Sequence, residues 1–150
     1  MELVVGENAY LDVEEADEII NTELSSDVEE YRYWFGLSDD RKRNLLIRGT
    51  RLVDTLLFRG RKTVLSNKLK FPRYIDGKLI EIPYEVKAGL VLNVIEKELD
   101  NSKEEVRLQK LGVKNYSIKG ASISFSDNKS LYISGIKSDL FEEYFMRYVY

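Results

Sequence analysis

The sequence predicts a mainly α protein: a small helical bundle with a long basic inter-helix loop, a C-terminal β-hairpin and a terminal aromatic helix or arm. Apolar residues recur at helical spacing over most of the first 112 residues, the pattern then alternates, and aromatic residues at helical spacing return at the end. We expect a single domain of 150 residues, with a helical core at 1–112, a hairpin region at 113–136 and the C-terminal helix or arm at 137–150.

The first helices have recognisable start signals. Asp12 is a candidate N-cap for a helix that runs to about Leu24, and residues 28–35 add a short helical segment. Ser38 opens the clearest helix, which we expect to continue to about Phe58 because leucine and valine recur on one side of it.

A glycine and a proline mark the next features. Gly49 interrupts the second long helix at a cost of about 1 kcal/mol relative to alanine, and we attribute it to the close approach of a neighbouring helix. A third long helix should begin at Pro83 and end near residues 100–102. A brief further helical segment is then expected to end at Gly112.

The C-terminal third changes character. Alternation between residues 116 and 133, with a turn signal at residues 126–128, predicts a hairpin. Ser138 and Asp139 are candidate caps for a last helix with an aromatic face. Its members, Phe141, Tyr144, Phe145 and Tyr148, either pack on their own core or dock in the groove of a partner.

Composition excludes most enzyme chemistry. The chain has no histidine and no cysteine, so it lacks the usual ligands of zinc, haem and iron–sulfur sites and the nucleophile–base pairs that need these residues. Paired carboxylates such as Asp39 and Asp40 stand at helix starts, where acidic side chains favour the dipole. We therefore predict a protein that is not an enzyme, with no catalytic, cofactor-binding or metal-binding residue.

The sequence also indicates where the protein is made. No apolar run approaches the roughly 18 residues that a membrane span requires, so no membrane partner is expected. The start of the chain lacks the pattern of a secretory signal, and cysteine is absent. Synthesis in a reducing cytoplasm fits these features best.

Charge is distributed unevenly along the chain. Residues 1–31 contain eleven acidic residues and no lysine or arginine, whereas residues 59–78 contain seven cations and one aspartate. We predict an acidic counter-surface of Glu14, Glu15, Glu18, Asp27, Glu29 and Glu30, and a basic loop of Arg59, Arg61, Lys62, Lys68, Lys70 and Arg73. Complementary patches suit head-to-tail contact between identical subunits, and two merely solvated faces are the alternative.

The basic loop is also a candidate nucleic-acid interface. Lysine and arginine neutralise phosphate, and Phe71 and Tyr74 are available to stack on bases. Because the net charge is −3 and the pI is about 5.2, any attraction for DNA must be local.

Ordered motifs resemble those of head–tail connector (adaptor) proteins of tailed bacteriophages. They are GENAYLDVEEAD at 6–17, LIRGTRLVD at 46–54 followed by FRGR at 58–61, LKFPR at 69–73 and IPYEVK at 82–87. The resemblance spans roughly residues 6 to 125. It departs at Gly49, where relatives often have alanine, and at Phe71, where tryptophan is common.

This resemblance implies a structural subunit of the virion neck, made in the cytoplasm of the bacterial host. Copies would form a ring, expected to be dodecameric, beneath the portal protein and would receive a head-closure (stopper) or tail-completion protein on the other side. Double-stranded DNA would pass through without sequence-specific binding, and the C-terminal aromatic residues would dock on the portal.

The resemblance also supplies an alternative. Members of the group are labelled DnaT-like single-stranded DNA-binding proteins. The alternative function is therefore a replication-associated module that binds single-stranded DNA through residues 59–73.

Overall fold

The computed structural model describes residues 2–110, 132–133 and 135–150. It confirms a mainly helical fold with a small antiparallel three-stranded sheet and a C-terminal helical segment. The helices are α1 (Val13–Glu23), α2 (Glu29–Phe35), α3 (Asp39–Val53), α4 (Tyr84–Lys110) and α5 (Ser138–Leu140). The strands are β1 (Arg61–Lys62), β2 (Arg73–Ile75), β3 (Lys78–Ile80), β4 (Tyr132–Ile133) and β5 (Ile136–Lys137). Helix α5 continues as a π-helical turn, Phe141–Phe145, and a 3-10 turn, Met146–Tyr148.

Two of the predicted N-caps, Asp12 and Ser38, are confirmed, whereas the prediction for the last helix is wrong: α5 is preceded by Lys137, without a side-chain cap, and Ser138 and Asp139 lie inside it. The Asp12 carboxylate accepts a hydrogen bond of 2.9 Å from the Glu15 N–H, and Ser38 Oγ accepts one of 3.2 Å from the Arg41 N–H. These bonds satisfy donors that the first helical turn leaves without a partner. Helix α3 nevertheless ends at Val53, before the predicted Phe58, because the chain turns there towards the C-terminal residues.

Helix α4 is the centre of the bundle. It contacts α1, α2, α3 and the π-helical turn, and residues 88–95 are buried on every side. A helix that is apolar all round is expected to be enclosed by others. The predicted break near residues 100–102 is wrong, since asparagine and serine each cost a helix less than about 0.7 kcal/mol relative to alanine. Within the described ranges, none of the helices is long and apolar enough to cross a membrane.

Gly49 lies where α3 and α4 approach closely. A Cβ atom added there would stand 2.6 Å from Val94 Cγ1 and 2.8 Å from Leu90 Cδ2. Real Cβ atoms do not come that close to other carbons, so glycine allows the two helices this separation. The prediction that Gly49 marks a helix–helix contact is confirmed.

The C-terminal aromatic residues pack on the chain's own core. Phe145 is fully buried, and a Cβ atom at Gly89 of α4 would lie 2.7 Å from its ring. Tyr144 donates a hydrogen bond of 3.1 Å to Glu23, and Tyr148 donates one of 3.2 Å to Glu85. The sequence left open whether these residues pack on their own core or dock on a partner, and the fold shows packing on the core. Docking of Phe141, Tyr144, Phe145 and Tyr148 on a portal protein stays a prediction.

A short hairpin precedes that segment. Strand β4 pairs with β5 in the register Ile133↔Ile136, and the buried Asn93 side chain holds the turn by donating to Gly135 O at 3.2 Å and accepting from the Lys137 N–H at 2.9 Å. Most of the predicted hairpin, residues 116–131, and the predicted helix end at Gly112 lie outside the described residues.

The predicted basic loop folds into a small sheet. We call residues 59–82 the arm. Strand β2 pairs with both β1 and β3, all antiparallel. Asp76 and Gly77 have φ angles of 53° and 77°, which are the values that a two-residue hairpin turn between β2 and β3 requires. The predicted long basic loop therefore contains a three-stranded sheet that the sequence analysis did not predict.

Candidate nucleic-acid interface

One face of the arm sheet carries a row of exposed side chains. The register aligns Arg61 with Tyr74 and Tyr74 with Leu79, and paired residues of antiparallel strands project to the same side. Tyr74 is 37% exposed and Leu79 is 56% exposed. The Arg61 guanidinium lies 5.1 Å from the centroid of the Tyr74 ring. We call these three residues the sheet face; it combines a cation, an aromatic ring and an aliphatic side chain.

The seven cations of the arm have different roles. Arg59 forms an ion pair of 3.0 Å with Asp76, and Lys62 and Lys70 donate to the carbonyls of Asn67 and Leu56. The remaining cations that project into solvent are Arg61, Lys68 and Lys78. Fewer cationic groups are therefore free to contact a ligand than the sequence suggests.

Arg73 has an internal role. Its side chain is 8% exposed, and its guanidinium donates to the carbonyls of Phe58, Arg59, Gly60 and Lys70 at distances of 2.8 to 3.3 Å. No carboxylate is paired with it in the salt bridges of the described residues. Arg73 therefore closes the base of the arm and is not available to bind phosphate.

Phe71 and Tyr74 are placed differently. Phe71 is buried, with its ring edge-on to Tyr10 at 6.1 Å and to Phe58 at 4.8 Å between centroids. It cannot stack on a base in this fold, whereas Tyr74 can. Of the two candidate stacking residues, the structure leaves one accessible.

A polar cluster attaches the base of the arm to the bundle. The Tyr10 hydroxyl donates to Asp54 and accepts from the backbone N–H groups of Lys70 at 3.1 Å and Phe71 at 3.3 Å. Burial and the neighbouring carboxylate of Asp54 raise the pKa of Tyr10 well above its usual range. Burial also raises the pKa of Asp54. The Tyr10 N–H donates to Thr50 Oγ1 at 3.2 Å, so the cluster connects the arm to α3.

Only some side chains of the predicted acidic counter-surface are exposed and without an ion pair among the described residues. Glu15 pairs with Lys87 of α4, and Glu29 pairs with Lys103 at 3.1 Å. Glu14, Glu18 and Asp27 are exposed, and Glu30 is half-buried. The hydrogen bond from the Ser25 hydroxyl lowers the pKa of Asp27. These side chains lie on α1, on α2 and between them, and none of the salt bridges found among the described residues joins them to a cation of the arm.

The sheet face includes a residue that the sequence prediction missed. Leu79 is not a candidate from the sequence, because the sequence patterns predict no strand there. The available signal was the Asp76-Gly77 pair between residues of β propensity, which is a strong hairpin signal. Assigning that hairpin would have placed Leu79 opposite Tyr74.

The family comparison covers most of this chain. A model of the family described as "Putative DnaT-like ssDNA binding protein" matches residues 2–137. The chain belongs to this DnaT-like family. The matched range includes the whole arm and the helices that hold it. Neither the curated proteins nor the solved structures contain a match to the chain.

Membership of the DnaT-like family bears on the two functions considered from the sequence. The family description names single-stranded DNA and gives no head–tail connector role. It therefore supports the alternative function better than the connector interpretation, which stays a prediction.

Proposed function

We propose that the protein binds single-stranded DNA without sequence preference, and that the sheet face is the contact. The observation that carries this proposal is the exposed Tyr74 ring between Arg61 and Leu79. Aromatic rings on sheets are common platforms for unpaired bases, because every base has a face that can stack. The family description is the second support.

Different residues of the sheet face contact the bases and the phosphates of the DNA. Bases stack on Tyr74 and contact Leu79, while Arg61 binds a phosphate next to the stacked base. Lys68 and Lys78 are exposed on the same arm and extend the attraction for the backbone. With at most three phosphate contacts, the logarithm of the binding constant should fall with the logarithm of salt concentration with a slope of about −2. No step requires catalysis.

Replacing Tyr74 with alanine is expected to weaken binding of a fluorescein-labelled dT20 oligonucleotide about fivefold or more, because one stacked base is worth about 1–3 kcal/mol. Anisotropy titrations at several NaCl concentrations measure both the affinity and the salt slope. Tyr84→Ala is the matched control, since Tyr84 is 47% exposed and lies outside the arm.

Three results would count against this proposal. They are equal affinity of the two tyrosine variants for dT20, equal affinity of the wild type for single strands and for a duplex of the same length, and no binding at low salt.

A structural assembly role is the second candidate, and the exposed tip of the arm favours it. Val64 is 52% exposed and Leu65 is 86% exposed. A cleft of about 360 Å³ lies between α1, the end of the arm and the start of α4, and its lining includes Ile19, Ile82, Tyr84, Glu18 and Lys87. Insertion of one copy's arm tip into the cleft of the next would give the head-to-tail contact of a connector ring.

Light scattering of the protein, alone and mixed with portal protein, tests this second candidate. A ring that Leu65→Ser abolishes would support it. A wild-type chain that remains monomeric in both conditions would contradict it.

A further inference from the structure

A second exposed aromatic ring lies beside the base of the arm. Residues 148–150 run antiparallel to residues 57–59. The Tyr150 N–H donates to Leu57 O at 3.1 Å, so these two residues lie opposite each other and project to the same side. Leu57 is 72% exposed and Tyr150 is 85% exposed. The base of the arm therefore presents an aromatic ring and an aliphatic side chain to solvent.

Tyr150 and Leu57 repeat a combination that is found on the sheet face. There, Tyr74 lies opposite Leu79, and the ring is 37% exposed. Stacking on an aromatic ring tolerates any base, because every base has a π-face. A second ring that is more exposed than Tyr74 therefore suits the same kind of ligand.

Arg59 connects these two aromatic patches. Its guanidinium lies 3.0 Å from the carboxylate of Asp76, which is two residues after Tyr74. The same guanidinium donates to Arg147 O at 3.3 Å, three residues before Tyr150. The two rings therefore belong to one continuous surface. Because Asp76 pairs with Arg59, the section between the rings adds no free cation to this surface.

The separation of the patches fits a short length of DNA. Arg61 of the sheet face follows Leu57 by four residues, so their Cα atoms are at most about 14 Å apart. One strand of stacked DNA advances about 3.4 Å per nucleotide. Roughly four nucleotides therefore span the distance, and dT20 is long enough to contact both patches.

We propose that Tyr150 is a second stacking residue for single-stranded DNA, which extends from the sheet face across Arg59 to Leu57. The inference rests on the proposed DNA-binding function and adds a residue to its contact. Tyr150 lies outside residues 2–137, so the family match does not assign it a role. Because its side chain is uncharged, Tyr150 adds affinity without adding a phosphate contact.

Replacing Tyr150 with alanine is expected to weaken binding of dT20 about fivefold or more and to leave the salt slope unchanged. Tyr150→Phe keeps the ring and should bind as tightly as the wild type. Tyr84→Ala, which removes an exposed tyrosine elsewhere, is again the matched control. Alanine retains the backbone N–H that donates to Leu57, and circular dichroism of each variant checks the fold.

Photo-cross-linking locates the contact directly. A dT20 analogue with 5-iodouracil bases bonds, on irradiation, to aromatic rings that stack on it, and peptide mass spectrometry identifies the residue. We expect cross-links at both Tyr74 and Tyr150 of the full chain.

The outcomes separate this inference from the function on which it rests. If Tyr74→Ala weakens binding but Tyr150→Ala does not, the second stack is wrong and the proposed function stands. An equal loss in Tyr150→Phe and Tyr150→Ala, or cross-links at Tyr74 alone, would also overturn the second stack. If the wild type does not bind dT20, both proposals fail.

Discussion

Replacing Arg73 with methionine is expected to lower the free energy of opening the arm by about 3 kcal/mol or more. The guanidinium satisfies four backbone carbonyls at the base of the arm, and methionine fills a similar volume without any donor. The bond to Phe58 is buried and the other three are part-buried, and each such hydrogen bond to a charged donor contributes about 1 kcal/mol. Thermolysin cleavage within residues 59–75 under native conditions measures the opening, and it should accelerate about 100-fold.

Arg61→Met is the matched control for this change. Arg61 lies on the neighbouring strand but projects into solvent from the sheet face, so its loss should change cleavage little. Unfolding of the helical bundle is followed separately by the fluorescence of Trp34. This residue is the one tryptophan of the chain and is fully buried in the bundle. Equal cleavage rates in the two methionine variants would show that the carbonyl contacts of Arg73 do not hold the arm.

The second large effect is expected at Gly49. Replacement with leucine should lower the free energy of unfolding by about 2 kcal/mol, because the new side chain overlaps Val94 and Leu90 of α4. The higher helix propensity of leucine offsets up to about 1 kcal/mol of a larger steric cost. For a chain of this length, the melting temperature should fall by about 4–8 °C.

Asn44→Leu controls for the introduction of leucine into the same helix. Asn44 is exposed on α3, so the added side chain meets solvent and the melting temperature should change little. If Gly49→Leu melts at the same temperature as Asn44→Leu, the contact between α3 and α4 tolerates a side chain and the packing explanation is wrong.

The helical part of the fold was predictable because its signals are local. Asp12 and Ser38 are capping residues followed by apolar residues at helical spacing, and both caps form as expected. Element ends were less predictable. Helix α3 stops at Val53 because Phe58 pairs with Val149, a residue far away in the sequence that no local pattern connects to it.

The arm shows where local reading of the sequence fails. Its strands have only two or three residues, too few for alternation between apolar and polar side chains to stand out. The count of cations was correct, but their availability depends on contacts that form only in the folded arm. Arg73 belongs to the predicted basic loop, but it is buried and donates its hydrogen bonds to backbone carbonyls. Lys78 is not among the predicted basic-loop residues, but it is exposed.

The accessible aromatic residue also depends on tertiary structure. Phe71 and Tyr74 are three residues apart and equally suited to stacking by composition. Phe71 is buried between Tyr10 and Phe58, while the register of β2 turns Tyr74 outward beside Arg61. The sequence therefore predicted the segment that forms the candidate interface, and the structure was needed to identify its residues.

Attachment of the arm also constrains the order in which the protein can mature on the ribosome. Tyr10 binds the arm from one side, and Phe58 at its base pairs with Val149, with Tyr148 O accepting from the Arg59 N–H at 2.8 Å. These partners span almost the whole chain. A nascent chain has α1, α2 and α3 available early, but it cannot complete the attachment of the arm until residue 149 has left the exit tunnel. The exposed apolar tip at Val64 and Leu65 therefore leaves the tunnel more than 80 residues before Val149, and it lacks its final support during that interval.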